Sequence, residues 1–567
     1  MKQTHRWRFL PPAPESHFGR FPDLSPLIVQ LLYNRGIVEP DDVQSFVAGR
    51  LPDDNPFRLP DMSQAVTCLR QAIRTGSPIA VYGDYDADGV AATALLVQTL
   101  DALGANVQPY IPHREREGYG LNDAAIRELA DRGVGVLVTV DCGVRSVREV
   151  ALANRLGMKV IITDHHAVGP ELPPAVAVVD PKRTGVRYPF SQLAGVGLAF
   201  KLAQALLRAH SQVPLPGARR KISEEDLLDL VAMGTIADLA PLVGENRTLV
   251  RRGLERLNAS QRPGLKALLA AASLVPGQVD AWTVGYVLAP RINAAGRMED
   301  AVAAYRLLTT EDPEEAATLA ATLTEVNRQR QEVQQMLIER ATEEVLALPE
   351  SERIFILAGR EYRAGVAGLV AGRLTEQFYR PTLVLEQGDE LSKGSARSIP
   401  EFHITHALDR CADLLLRHGG HSAAAGFTLE SRHLPEFAAR MKDLAAEALA
   451  DVDLQPTLDI DAQIPLTNLN WDTLRLIDQM EPFGSGNPRP LFLSEGVTVR
   501  EAKVVGESHL KLILTDGRVV WDAIAFRQSE RAAELAPRVD VVYEARGGEW
   551  NNEQRIELVV RDMRAAQ

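Results

Sequence analysis

The chain has 567 residues, of which 46% are hydrophobic and 24% charged, and it carries a formal net charge of −13. That length implies three or four domains around a large core, and with no long uncharged apolar run or signal peptide neither membrane insertion nor secretion is expected. The acidic total argues against indiscriminate coating of nucleic acid but leaves a local basic channel open.

The first 59 residues contain Pro11, Pro12 and Pro14 and a short predicted helix over 26–32, and their role is not disclosed by the residues themselves. From 60 to 310 strand and helix alternate, the pattern of a parallel sheet. The apolar run Pro78-Ile79-Ala80-Val81-Tyr82 delivers GDYDADG at 83–89, with Asp84, Asp86 and Asp88 at alternate positions. Val136 to Val140 delivers Asp141 in the same way, and Lys159 to Thr163 delivers Asp164-His165-His166. Parallel sheets bind ligands beyond the carboxyl ends of their strands, so these clusters converge on one pocket. Crowded carboxylates repel one another unless a divalent cation sits between them, which makes this a predicted metal centre. An EF-hand loop is the first alternative for DYDADG, but its twelfth position is Leu95 instead of Glu and a strand precedes it. A solvated acidic turn is the second, and it leaves Asp141 and the Asp-His-His triplet unexplained. GVGLAF at 195–200 reads as a helix N-terminus, because Phe200 takes the place of a dinucleotide fold's third glycine. A predicted helix over 227–233 leads to Asp238 in GTIADLAPL.

Between Pro313 and Pro349 there is no Gly or Pro, which predicts one helix of roughly 50 Å within a connecting segment 311–349. Leu319, Leu323, Val326, Val333 and Leu337 share a face, as in a spacer joining two domains; a coiled coil is the alternative. A second α/β unit is expected over 350–454, starting with the strand Ile354-Phe355-Ile356-Leu357. From 455 to 567 short β-runs dominate, including Lys511–Leu514 and Val519–Trp521, and an OB-type barrel fits them. Trp521, Phe526 and Trp550 are candidate base-stacking platforms, with burial in the barrel core as the alternative for each. The three cysteines, Cys68, Cys142 and Cys411, form no CxxC pair, which suits a reducing cytoplasm and disfavours a zinc-thiolate site.

GDYDADG, VDCGV, TDHH and GTIADLAPL, in this order, resemble the successive motifs of the DHH phosphoesterase superfamily. GSARS (394–398) and GGHSAAAGF (419–427) resemble its DHH-associated substrate-binding domain. With EPFGSGNPRP (481–490) and the β-rich tail, the set is similar to the superfamily's exonucleases that degrade single-stranded DNA from 5′ to 3′. The likeness runs from about residue 20 to the end. It implies an α/β catalytic domain and a two-metal phosphodiesterase in which the ions acidify a bridging water and stabilise the attacked phosphate. By resemblance, Asp86 and Asp141 hold one ion, and Asp88, Asp141, His165 and Asp238 hold the other, so that Asp141 bridges. His166 faces the scissile phosphate, while Asp84 and Asp164 support the ligands. Mixed carboxylate and imidazole ligation favours manganese, with magnesium open. Tyr82 departs from the pattern, since other branches place a metal-binding His there, and Asp84 is the candidate to compensate.

Arg114 in IPHREREGYGL follows a predicted strand and is a candidate phosphate contact; a salt bridge to Glu115 or Glu117 is the alternative. Arg297 in INAAGRM, with Ser395 and Arg397 in GSARS, offers donors suited to phosphate. Gly419 and Gly420 let backbone approach a ligand closely, with His421 as the polar contact. The resemblance implies single-stranded DNA as substrate, repair and recombination as the setting, single-strand binding protein and a helicase as partners, and a monomer. Two other readings share the superfamily: a phosphoesterase of small nucleotides or pyrophosphate, which leaves the tail without a purpose, and a noncatalytic replication scaffold, which need not keep the metal ligands.

Overall fold

The computed structural model describes residues 5–49, 55–114, 116–298, 300–506, 508–550 and 553–566. The chain forms two compact units, one of Glu325–Asp459 with the extreme N terminus and the other of Phe9–Thr324 with Ile460–Gln567.

In the larger unit, five parallel strands stand in the order Val107–Tyr110, Ile79–Gly83, Val136–Val140, Lys159–Thr163 and Ala177–Val179. VLVTV and KVIIT read as nearly continuous β-branched runs because both faces of a parallel sheet are covered. Ile79, Val81, Val136 and Val138 pack with helices Ala87–Ala102 and Gly195–Gln212 on one side. Ala80, Tyr82, Leu137 and Val160 pack with helices Asp123–Asp131 and Val147–Arg155 on the other. The chain reverses its direction of travel across the sheet between Ile79–Gly83 and Val136–Val140, and such a reversal opens a crevice at the strand ends. GDYDADG and Asp141 leave those two strands.

The last hundred residues close into a barrel. Strands Phe492–Val505, His509–Thr515, Val520–Ala525, Glu553–Ala565 and Arg538–Trp550 pair in that spatial order, and the first also pairs with the last. Five strands closing on themselves make the expected OB-type barrel. Its core residues Phe492, Leu510, Leu512 and Tyr543 pack with Ile28, Leu31, Leu32, Val43 and Phe46, which come from helices Pro26–Asn34 and Pro40–Ala48. The N-terminal segment thus shares one hydrophobic cluster with the barrel. Arg247 reinforces this joint from the catalytic side: fully buried, it lies 3.6 Å from the centre of the Phe46 ring and donates to the carbonyls of Phe46, Gln479 and Glu481. The Leu242 N–H donates to the Ser485 carbonyl at 2.7 Å, which seats EPFGSGNPRP against the residues following Asp238.

Trp521 belongs to the barrel's packing, with Nε1 donating to the Leu466 carbonyl at 3.1 Å, so the core reading holds for it. Phe526 is 52% exposed, and the side chain of Trp550 lies outside the described residues. Cys68, Cys142 and Cys411 are all free thiols. No described helix is long and apolar enough to cross a membrane.

The smaller unit is a five-stranded mixed sheet in the order Leu415–Gly420, Ala424–Glu430, Leu391–Arg397, Thr382–Gln387 and Phe355–Gly359, parallel only in its last pair. Helix Pro313–Leu346 connects to it without a break over 34 residues.

Candidate metal centre

GDYDADG turns directly from strand into helix. Asp86 caps helix Ala87–Ala102, its Oδ1 accepting from the N–H groups of Asp88 and Gly89 at 3.0 Å each, so no EF-hand loop forms. Asp88 sits inside the first helical turn, aimed at the N-terminus of helix Gly195–Gln212. There it accepts from Gly195 N–H at 2.7 Å and Val196 N–H at 2.9 Å, where unpaired amides and the helix dipole favour an anion. This is the use the fold makes of GVGLAF. A Cβ on Gly195 would come within 2.5 Å of the Asp141 carboxylate, and one on Gly234 within 2.7 Å of Asp88 Oδ1. Glycine clears the space in which the two carboxylates stand.

Asp141 follows its strand in a left-handed conformation, φ 61°, which Asp tolerates better than most residues. Its Oδ1 lies 3.0 Å from His165 Nε2, and His165 Nδ1 lies 3.9 Å from Asp238 Oδ2. Three sets of ligand atoms come close enough to hold an ion: Asp84, Asp86 and Asp141; Asp88, His165 and Asp238; and Asp141, His165 and His166. Asp141 and His165 each belong to two of them. Asp84 Oδ1 is buried with no hydrogen-bond partner among the described residues, and Asp141 Oδ1, though close to His165 Nε2, is not hydrogen-bonded to it, as expected of oxygens reserved for a cation.

The electrostatics say the same. Burial and the neighbouring Asp86 raise Asp84 well above the ordinary carboxylate range, and burial with Asp88, Asp86 and Asp238 does so for Asp141. Burial and Asp86 push Asp88 to about 7, and burial with Asp88 and Asp86 pushes Asp238 to about 9. Unaided, the protein disfavours its own negative charge here, a cost that a divalent cation would relieve.

Asp164 stands apart. Burial raises it, but the His166 side chain at 2.7 Å and the N–H groups of Val144, His165 and His166 outweigh that and hold it below its usual range. Asp164 in turn raises His166 against the effect of burial. Its position is that of an orienting group. Tyr82 is sealed on the far face of the sheet, donating to the Gly120 carbonyl at 2.9 Å and stacking on Tyr110 at 5.0 Å, and offers the centre no ligand.

Arg114 lies beside this cluster, its guanidinium 5.1 Å from the centre of the Tyr85 ring. Glu117 is engaged instead with Tyr110 and the His113 N–H, and Glu115 lies outside the described residues. Arg297, from helix Ala289–Met298, also acts electrostatically on Tyr85, so both arginines flank the residue between Asp84 and Asp86. In the smaller unit, Ser395 and Arg397 share one face of strand Leu391–Arg397, both beside Gly368. Burial lowers the Arg397 guanidinium, which has no carboxylate partner among the described residues. His421 is exposed in the turn between Leu415–Gly420 and Ala424–Glu430.

Four residues at the centre escaped the sequence reading. Tyr119 OH lies 3.1 Å from His166 Nδ1, and its only signal was an aromatic between two glycines. Asn293 Oδ1 accepts from the Ala87 N–H at 2.8 Å, clasping the loop between Asp86 and Asp88. Asp180 follows strand Ala177–Val179 fully buried and is raised to about 7, chiefly by burial; it carries the same apolar-run-then-Asp signature as Asp141. Lys182, two residues on, acts on Asp238, Asp180 and His166.

The family described as DHH family, N-terminal domain, matches residues 78–235, the DHHA1 domain matches 351–447, and the RecJ OB domain matches 460–562. The single-stranded-DNA-specific exonuclease RecJ of Bacillus subtilis is 38% identical over 95% of the chain and 68% of its own length. That of Salmonella typhimurium is 35% identical over 95% of the chain and 96% of its own length. Among solved structures, RecJ of Thermus thermophilus in complex with Mn2+ superposes with a TM-score of 0.85 at 33% identity, covering 99% of this chain and 80% of that one. Its complex with Mg2+ gives 0.79 at 32% identity, over 99% and 79%.

Proposed function

Because this chain belongs to the RecJ family of DHH phosphoesterases, we propose that it hydrolyses single-stranded DNA from the 5′ end in a metal-dependent reaction. It is a hydrolase of the single-stranded-DNA-specific exonuclease type. The observation that carries the reading is the cluster of Asp84, Asp86, Asp88, Asp141, His165 and Asp238 at the reversal point of the sheet, with Asp141 common to two ligand sets. We assign two ions, manganese before magnesium: one with Asp86 and Asp141, assisted by Asp84, and the other with Asp88, Asp141, His165 and Asp238. When bound, such ions acidify water and neutralise charge on the attacked phosphate.

The protein's own groups do the rest. The amides of Gly195 and Val196 fix Asp88 in one orientation. Asp164 holds His166, which keeps a proton to higher pH, and we assign to His166 the donation of that proton to a phosphate oxygen. Arg114 and Arg297 are the phosphate donors beside the centre, and Ser395, Arg397 and His421 those of the DHH-associated domain. A small-nucleotide phosphoesterase has no use for a closed barrel, and a noncatalytic scaffold has none for an intact ligand set. By resemblance we also assign a cytoplasmic monomer acting in repair and recombination with single-strand binding protein and a helicase.

The test is digestion of end-labelled single- and double-stranded DNA with and without manganese. Loss of 5′ label as mononucleotides, from single strands alone and only with the metal, is expected. Metal-independent digestion, or release beginning at a 3′ label, overturns the reading.

A further inference from the structure

Helix Leu228–Ala237 ends on Asp238, and Leu239 follows in a left-handed conformation, φ 58°. The Leu239 N–H donates to the Ile236 carbonyl at 3.1 Å and the Ala240 N–H to the Thr235 carbonyl at 3.3 Å, a paired closure that helices usually make with glycine at this position. A leucine there carries a backbone cost that persists only where the surroundings hold the turn in place. The holder is Asn246. Fully buried in the first turn of helix Gly244–Asn258, it donates from Nδ2 to the Pro241 carbonyl at 3.1 Å, on the segment that leaves Asp238. The same nitrogen donates to the Gln192 carbonyl at 2.6 Å. Gln192, Leu193 and Ala194 lead into helix Gly195–Gln212, whose first amides grip Asp88.

Asp88, His165 and Asp238 make up one of the three ligand sets, so a single side chain governs the segments that place two of its three members. The amide has one workable orientation. Turned over, it would set its oxygen against two carbonyl oxygens, and the protein leaves Oδ1 buried, with no partner among the described residues, in order to make both donations. Asn246 is itself firmly seated. On one side Glu245 accepts from Tyr188 OH at 2.7 Å and pairs with Lys201 of helix Gly195–Gln212, and on the other Arg247 is committed to the barrel joint. Metal–ligand distances tolerate only about 0.2 Å of error, so the spacing between the Asp88 and Asp238 segments decides how well an ion is held.

We propose that Asn246 is the positioning residue of this ligand set: by tying the Gln192 carbonyl to the Pro241 carbonyl it fixes Asp238 relative to Asp88, and so the ion assigned to them. The proposal rests on the two-ion reading and adds to it a residue that touches neither ion nor substrate. Asp84, Asp86 and Asp141 are carried by other segments, so loss of the tether should fall on one ion alone.

The experiment titrates manganese into the metal-free full chain, followed by calorimetry and electron paramagnetic resonance, for the wild type, Asn246→Ala, Pro241→Gly and Ser494→Ala. Ser494 is the control for a lost buried hydrogen bond: almost fully buried, its Oγ donates to the Ile464 carbonyl at 2.7 Å inside the barrel, where no ligand resides. Asn246→Ala should weaken one manganese ion by roughly 10- to 100-fold and leave the other near wild type. At the same manganese concentration its spectrum should pass from that of a coupled pair to that of isolated ions. Pro241→Gly keeps the acceptor but frees the backbone on the Asp238 side, and it should weaken the same ion. Ser494→Ala should melt lower than the wild type with both ions held normally. Unchanged affinities in Asn246→Ala, or in Pro241→Gly where the alanine variant does not fold, overturn the positioning role. Equal weakening of both ions, or the same selective loss in Ser494→Ala, does so as well. A wild type that binds fewer than two ions would sink the two-ion reading itself, a result separable from failure of the tether.

Discussion

Asp141 Oδ1 stands 3.0 Å from Nε2 of His165, on a residue whose backbone is held at φ 61°. The chain accepts a left-handed conformation there in order to aim one carboxylate at two ligand sets.

Replacing this carboxylate should separate charge from conformation. Asp141→Asn keeps a side chain that tolerates φ above zero, whereas Asp141→Ala adds a backbone cost of about 1 to 2 kcal/mol. Both should lose more than about 100-fold in hydrolysis, beyond what loss of an orienting partner costs. In EDTA, the Asp141→Asn variant should melt no lower than the wild type, because repulsion among buried carboxylates is relieved. Thermal melts with and without manganese decide this, and near wild-type turnover in either variant would sink the bridging role.

Gly195→Ala inserts a methyl where the Asp141 carboxylate already stands, within 2.5 Å of it. The clash takes in Asp141 Cβ and Cγ as well as an oxygen, so the metal-free protein should lose about 1 to 3 kcal/mol of stability and manganese affinity should fall at least about tenfold. Titration calorimetry checks it; unchanged affinity would show that Asp141 has room to move.

The pH dependence follows from the direction of the shifts. Asp84, Asp88, Asp141 and Asp238 are all raised by burial and mutual repulsion, Asp88 to about 7 and Asp238 to about 9. Without metal, the folded state holds more protons than the unfolded chain above the ordinary carboxylate range, so its stability should fall as pH rises from about 5 towards 9. A metal must displace those protons, so manganese should bind more tightly with rising pH over the same window and release protons in the act. Calorimetry in buffers of different ionisation enthalpy counts them. Binding without proton release would contradict the assignment.

Arg397→Ala should lose most of any preference for a 5′-phosphate over a 5′-hydroxyl strand. A charge-assisted contact of this kind contributes about 1.5 to 3 kcal/mol. Manganese affinity, set in the other unit, should not change. A variant that keeps the full preference would remove Arg397 from the substrate contacts.

The catalytic sheet and its carboxylates were legible because each strand is a short apolar run that ends on its functional residue, as at Val140-Asp141 and Thr163-Asp164. Local pattern suffices for that. It says nothing about partners far along the chain, and Asp88 is fixed by amides more than a hundred positions away. Asn293 and Tyr119 were missed for the same reason: neither amide nor phenol is distinctive until folding brings it to the centre. Trp521 shows the converse, since a tryptophan suited to stacking bases is spent on the barrel's own packing. The first 59 residues were opaque because their apolar helices have no core of their own.

That last arrangement sets the order in which this protein can be made. Helices Pro26–Asn34 and Pro40–Ala48 leave the ribosome early, yet the barrel residues that complete their hydrophobic cluster, Phe492, Leu510, Leu512 and Tyr543 among them, are translated more than four hundred residues later. At roughly 5 to 20 residues per second, that interval is about 20 to 90 s. For that time a set of leucines, isoleucine and phenylalanine lacks the rest of its cluster on the nascent chain, a standing demand on holdase chaperones, and a transcript cut short before the barrel would yield a product whose N-terminal helices stay without it.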